Sequence, residues 1–116
     1  MEGTSEWPSK LVELSEKNFE SIVEKHQHVV IDCWAPWCGP CIGLEPTMEE
    51  LARHYRGKVL FAKMNTDENL EIARKLGVMS LPTILYFKNG EYEDRITSGV
   101  HKRSIQEKIE ELMGPR

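Results

Sequence analysis

The stretch Val29-Val30-Ile31-Asp32-Cys33-Trp34-Ala35-Pro36-Trp37-Cys38-Gly39-Pro40-Cys41 decides how the rest of the chain is read. Its first five residues have the apolar, β-branched character of a buried strand, and residues 42–55 after it carry helical periodicity. Two cysteines three residues apart therefore fall where a strand ends and a helix begins. A helix N-terminus presents unpaired backbone N–H groups and the positive end of the peptide dipoles, and both favour an anion. A thiolate at Cys38 is such an anion, and easier ionisation makes it a nucleophile near neutral pH. Cys41, one turn further on, lies on the same helix face with its side chain close enough to bridge. The pair reads as a reversible dithiol/disulfide switch.

Outward from this stretch, the consecutive Val29, Val30 and Ile31 predict burial on both faces, as in a central parallel strand. Upstream, residues 10–14 form a short strand candidate. Ser15 is placed to cap a helix in which Phe19, Ile22 and Val23 recur at helical spacing. Downstream, Met48, Leu51, Ala52 and Tyr55 make a stripe facing the sheet; Pro46 predicts a kink near Ile42 and Gly43, and Gly57 ends the helix. Residues 59–64 are the next strand. Asp67 is expected to cap a short helix with Leu70, Ile72, Ala73 and Leu76 inward, closed by Gly77. Residues 81–87 and 92–97 are strands joined by the hairpin signal Asn89-Gly90, the second of them an edge strand. A last helix puts Ile105, Ile109, Leu112 and Met113 on one face. The order β-α-β-α-β-α-β-β-α predicts an α/β fold, a mixed sheet with helices on both sides and a right-handed crossover around the cysteines. Residues 1–9 lack periodicity and read as a flexible N-terminal arm; residues 10–116 read as one domain.

A chain of 116 residues is long enough to bury a core without disulfide staples. Its net charge of -4 argues against nucleic acid or an anionic membrane surface as partner. No apolar run approaches the ~20 residues a membrane span needs. The acidic start Met1-Glu2-Gly3-Thr4-Ser5-Glu6 lacks the basic and apolar parts of a signal peptide, so a cytoplasmic location is expected. Three cysteines, an odd number, do not fit a structural disulfide framework. Cys33, inside the apolar strand, reads as a small buried hydrophobe, with a regulatory thiol as the alternative.

Asp32 is the most telling residue outside the cysteines. A carboxylate in a buried apolar strand is costly to ionise, so its pKa should rise toward neutrality. Six residues before Cys38, it can serve as proton acceptor and donor for Cys41. The alternative is a carboxylate paired with Lys63, which interrupts the neighbouring strand and reads as a partner of Asp32. Zinc would need four ligands. His26 and His28, the only close pair of histidines, precede a strand, while His54 and His101 stand alone, so no metal and no cofactor is expected. Trp37 abuts a nucleophile expected to be exposed and offers a flat apolar contact for a protein substrate, whereas Trp34 packs beneath. Pro40 falls in the first helical turn, where its missing N–H costs nothing, and Gly39 permits close approach by another backbone. Pro82 opens a strand and leaves a backbone edge unpaired. If the bond before it is cis, the Leu81 backbone is placed to hydrogen-bond an extended substrate.

Together Asp32-Cys33-Trp34-Ala35-Pro36-Trp37-Cys38-Gly39-Pro40-Cys41, Pro46, Ala62-Lys63-Met64-Asn65, Ser80-Leu81-Pro82-Thr83, Phe87-Lys88-Asn89-Gly90 and Gly99 resemble the thioredoxin family over residues 11–113. A lone C-x-x-C is weak; these elements in order and at these spacings are specific. The resemblance implies a thioredoxin fold, a five-stranded mixed β-sheet flanked by four α-helices, with a cis peptide before Pro82. It implies that Cys38 attacks a substrate disulfide and that Cys41, deprotonated with help from Asp32 and Lys63, resolves the mixed disulfide. Substrate would lie along Trp37, Gly39, Pro40, Leu81, Pro82 and Gly99. The implied partners are disulfide-containing client proteins and a thioredoxin reductase that returns the electrons, with the chain acting as a monomer. The chain departs from the family at Cys33, Pro36 and Ile42, the last two making the rim of the site more apolar. A disulfide oxidase or isomerase is disfavoured by Gly39-Pro40, and a non-catalytic scaffold of the same fold by the presence of Cys38, Cys41 and Asp32.

Overall fold

Strand β2 (His28–Trp34) hydrogen-bonds to a neighbour along each edge, and the sheet is built out from it. The computed structural model describes residues 7, 8 and 10–114. Among these, β1 (Val12–Glu13), α1 (Phe19–Lys25), β2, α2 (Gly39–His54), β3 (Leu60–Asn65), α3 (Leu70–Lys75), β4 (Thr83–Lys88), β5 (Glu91–Ile96) and α4 (Lys102–Met113) follow one another. The sheet order is β1-β3-β2-β4-β5. β1, β3 and β2 run parallel, while β4 is antiparallel to β2 and β5 to β4. This is the expected mixed sheet with its expected element order.

Strand periodicity divides the core. Val29, Ile31 and Cys33 point into a cluster with Val23 of α1 and Ile72 and Ala73 of α3. Val30 points the other way, to Leu44, Met48 and Leu51 of α2 and Ile105 and Ile109 of α4. Both faces of β2 are thus covered by apolar packing, which is why its sequence does not alternate. Asp32 shares the parity of Val30, so it projects toward α2. β5 differs: it is an edge of charged and half-exposed residues, and a register shift opposite Tyr86 and Phe87 further blunts it.

The turn chemistry follows the sequence closely at two points. Asn89 and Gly90 both have positive φ (54° and 84°), the pair that a two-residue hairpin between twisted strands requires. Gly77 (φ 68°) ends α3, where its N–H donates to the Arg74 carbonyl and that of Val78 to the Ala73 carbonyl, satisfying the last turn. Helix starts follow it less well. Ser15 does not cap α1: that helix begins at Phe19 after Asn18, whose Oδ1 instead accepts the Ser15 N–H at 2.8 Å. Nor does Asp67 cap α3, which follows Asn69. Leu70, expected inward, is 68% exposed, because the helix begins only at this residue and turns Ile72 and Ala73 to the core instead. α2 runs unbroken through Pro46. α4 opens with a capping box the sequence did not suggest, in which His101 Nδ1 accepts the Ser104 N–H and Ser104 Oγ accepts the His101 N–H.

Most of the expected N-terminal arm lies outside the described residues. Trp7, within it, packs edge-on against His26 at 5.0 Å between ring centroids, and its carbonyl accepts from the Arg56 guanidinium at 2.8 Å.

Leu85, fully buried on β4 in the cluster beneath α1 and α3, tests this division of the core. Leu85→Ala is expected to cost about 3 kcal/mol, read as a lower denaturation midpoint of the oxidised protein at unchanged slope.

Candidate active site

The parallel strands β2 and β3 end together, with Trp34 opposite Asn65. β4 enters at that same end, with Thr83 opposite Cys33, and β5 leaves there, with Ile96 opposite Ile84. The backbone thus brings residues 35–41, 65–67, 81–82 and 97–99 to one end of the sheet. Chain segments remote in sequence become neighbours because the strands share a register.

After β2 the chain turns sharply, the Cys38 N–H donating to the Ala35 carbonyl at 3.1 Å. Cys38 then takes the N-cap position of α2, with Pro40 in the first turn. Its Sγ accepts the Cys41 N–H at 3.2 Å, so one donor left free by the helix start points at this sulfur. Cys38 and Cys41 are joined as a disulfide, their Cα atoms 5.3 Å apart. Cys38 was expected to be exposed. In the disulfide form it is only 4% exposed, because the turn folds its sulfur back over the helix end. Its neighbours are the exposed ones: Pro36, Gly39, Pro40, Ile42 and Trp37, the last at 70%.

Trp37 lies open but is held. Its indole N–H donates to the Asp67 carboxylate at 3.0 and 3.3 Å. Asp67 is itself fixed by its N–H donating to Asn65 Oδ1 at 2.9 Å, which is why its side chain serves the tryptophan and not α3. The Leu81–Pro82 bond is cis, and both residues are half-buried. Gly99 (φ 61°) lies exposed, and its backbone conformation is one that favours glycine. A Cβ at Gly39 would meet nothing within 4 Å, so the fold itself leaves room there.

Beneath the disulfide, Asp32 is 4% exposed, and among the described residues its Oδ1 has no hydrogen-bond partner. Burial pushes its carboxyl up to about 7; the Lys63 ammonium opposes this and the Glu45 carboxylate adds to it. Lys63 is the register partner of Asp32 across β2 and β3. It was expected to pair with Asp32, yet its Nζ lies 3.5 Å from Glu45 Oε2 and 5.4 Å from the centre of the Trp34 ring. Asp32, Cys41, Glu45 and Lys63 line a cavity of about 20 Å³, close to the volume one water centre needs. Cys33 sits on the other face, and burial first, with the Asp32 charge second, pushes its thiol up to about 12. It stays protonated, as a buried hydrophobe does.

The structure therefore gathers Cys38, Cys41, Asp32 and Lys63 in one place. It carries Trp37, Gly39, Pro40, Leu81, Pro82 and Gly99 to the same end of the sheet. Sequence reasoning missed Glu45 and Asp67 as parts of this site. Glu45 follows Cys41 by four residues, one helical turn, and that spacing was a signal available to be used. Asp67 carried no such mark, because its contact spans 30 residues. Among the described residues no cluster of three His, Cys, Asp or Glu is placed to hold a metal ion, and no helix is long and apolar enough to cross a membrane.

The thioredoxin family profile matches residues 10–111. A thioredoxin of Chlorobaculum thiosulfatiphilum is 42% identical over 106 residues, covering 90% of this chain and 98% of that protein. A chloroplastic M-type thioredoxin of Pisum sativum is 45% identical over 94 residues, covering 81% of this chain but 55% of its own length. Among solved structures, a mutant thioredoxin from Halobacterium salinarum superposes with a TM-score of 0.85 at 27% identity, covering 94% of this chain and 96% of that one. Dithiol/disulfide exchange is the chemistry such a cysteine pair performs. A fold built to bring this pair to the end of a parallel sheet, and a match over nearly its whole length, place the chain in the thioredoxin family.

Proposed function

We propose that the protein is a protein-disulfide reductase in which Cys38 attacks and Cys41 resolves. The observation that supports this most directly is the Cys41 N–H aimed at the Cys38 sulfur from the first turn of α2. A donor so placed, with the helix dipole behind it, stabilises a thiolate at Cys38 and does nothing comparable for Cys41.

The reaction begins from the dithiol. The Cys38 thiolate attacks one sulfur of a client disulfide; that bond breaks, the other client sulfur leaves as a thiolate, and a Cys38–client mixed disulfide forms. Cys41, which shares a cavity with Asp32, gives its proton to that carboxylate. The Cys41 thiolate then attacks Cys38 Sγ, closing the Cys38–Cys41 disulfide and expelling the second client sulfur. The client gains two electrons and the protein loses two. A carboxyl whose pKa lies near 7 takes and returns protons at neutral pH, which suits Asp32 to this step. Lys63 contributes the positive charge that keeps the ionised form within reach.

The client lies extended over Trp37, Gly39, Pro40, Leu81, Pro82 and Gly99, its backbone meeting that of Leu81. Trp37 gives it a flat apolar surface that Asp67 holds in orientation. A thioredoxin reductase returns the electrons, taking the place of the client on the same exposed end. A buried free thiol beside a redox pair suits a reducing compartment, the cytoplasm.

Two outcomes test this reading. With dithiothreitol as reductant and insulin as client, Cys38→Ser should return reduction to the uncatalysed rate. Cys41→Ser should instead accumulate mixed disulfides, visible on non-reducing gels; equal trapping by Cys38→Ser would refute the assignment of roles. Asp32 adds a stability signature. The folded chain keeps its proton up to about pH 7, whereas an unfolded carboxyl releases it near pH ~4. The folded state therefore binds more protons between these values, and stability falls as pH rises through that window. Above it the penalty is fully present, at most about 4 kcal/mol. Asp32→Asn should accordingly stabilise the oxidised protein by a few kcal/mol at pH ~8.5 and hardly at pH ~4, measured by urea denaturation.

A further inference from the structure

Among the described residues Asp32 faces one lysine, and that lysine is engaged elsewhere. Asp32 and Lys63 stand opposite each other in the β2–β3 register, yet the Lys63 ammonium lies 3.5 Å from Glu45 Oε2 while Asp32 Oδ1 goes without a partner. Glu45 sits one turn beyond Cys41 on α2, and the four side chains line the same small cavity. Among the described residues no further charge lines the cavity: its other walls are Leu11, Trp34 and Ile42, and the β4 partner of Asp32 is Ile84. The Lys63 and Glu45 side chains are 27% and 46% exposed, so their ion pair adds little to stability. Its effect lies in where it leaves the ammonium.

We propose that Glu45 is a positioning residue of the exchange reaction: by holding the Lys63 ammonium to itself, it keeps the Asp32 carboxyl unpaired and so able to take the Cys41 proton. This rests on the assignment of Asp32 as proton acceptor made above. A carboxylate in contact with an ammonium is stabilised as the anion and accepts protons poorly at neutral pH. At a greater separation the same ammonium attracts it less, as the inverse of the distance. The carboxylate of Glu45 also opposes a second negative charge in the cavity, and both effects act in one direction.

In the oxidised protein neither Cys38 nor Cys41 titrates, so the Asp32 carboxyl carbon can be followed alone by 13C NMR across pH. Glu45→Gln is expected to lower its midpoint by about one pH unit. Introduced into Lys63→Met, the same substitution should move it less than half as far, since there is no ammonium left to release. An unmoved midpoint in Glu45→Gln, or a shift at least half as large without Lys63, overturns the proposal. The pH profile of the resolving step, read as client release from a preformed mixed disulfide, should move to lower pH in Glu45→Gln along with the titration. A titration that moves while the profile stays refutes Asp32 as the acceptor, and with it the link from Glu45 to the reaction. An unmoved titration refutes only the hold of Glu45 on Lys63.

Discussion

The hydrogen bond from the Cys41 N–H to the Cys38 sulfur exists only if α2 begins where it does. Were the helix to start a turn later, the sulfur would meet solvent and the donor would be spent inside the helix. Several features fix that start. Pro40 cannot sit deep in a helix without cost but is well suited to its first turn. The Cys38 N–H returns to the Ala35 carbonyl, and Ala35 is itself buried, so the turn has no slack. The stripe of Leu44, Met48 and Leu51 then fixes the rotation of α2 against the sheet, and with it the direction in which its first turn points.

Adjacent residues of β2 meet opposite fates for the same reason. Cys33 and Asp32 are both buried titratable groups, and burial raises the pKa of each. On the α1 and α3 side Cys33 packs among apolar residues, and burial first, with the Asp32 charge second, confines its thiol to the neutral form against the opposing Arg95 charge. On the α2 side burial pushes the Asp32 carboxyl up to about 7, opposed by the Lys63 ammonium and reinforced by the Glu45 carboxylate. The alternation of a strand separates a packing residue from one that titrates near neutrality across the thickness of a single sheet.

Much of this was legible in the residues. Val29-Val30-Ile31 announced a strand covered on both sides, Asn89-Gly90 a tight hairpin, and Gly77 a helix end, because each expresses a local constraint that few other residues satisfy. The cysteine pair and Asp32 stood out for the converse reason, as chemistry placed where packing alone would not put it. What stayed hidden was set by competition between polar partners. Ser15 and Asp67 both have the side chain of a helix cap; the Lys17 N–H engages the first ahead of the helix, and the indole of Trp37 claims the second. Lys63 faced Asp32 in register, yet a carboxylate from a helix reached it. Such choices depend on distances between segments far apart in sequence, which no local pattern encodes.

The apolar groups ringing the disulfide hold little of the structure together. Trp37 is 70% exposed and Ile42 48%, and neither belongs to the two buried clusters. Replacement at such positions spends almost none of the stability margin that a domain of this size possesses. The apolar outline of this rim can therefore change at little cost in stability, whereas the buried groups beneath it cannot.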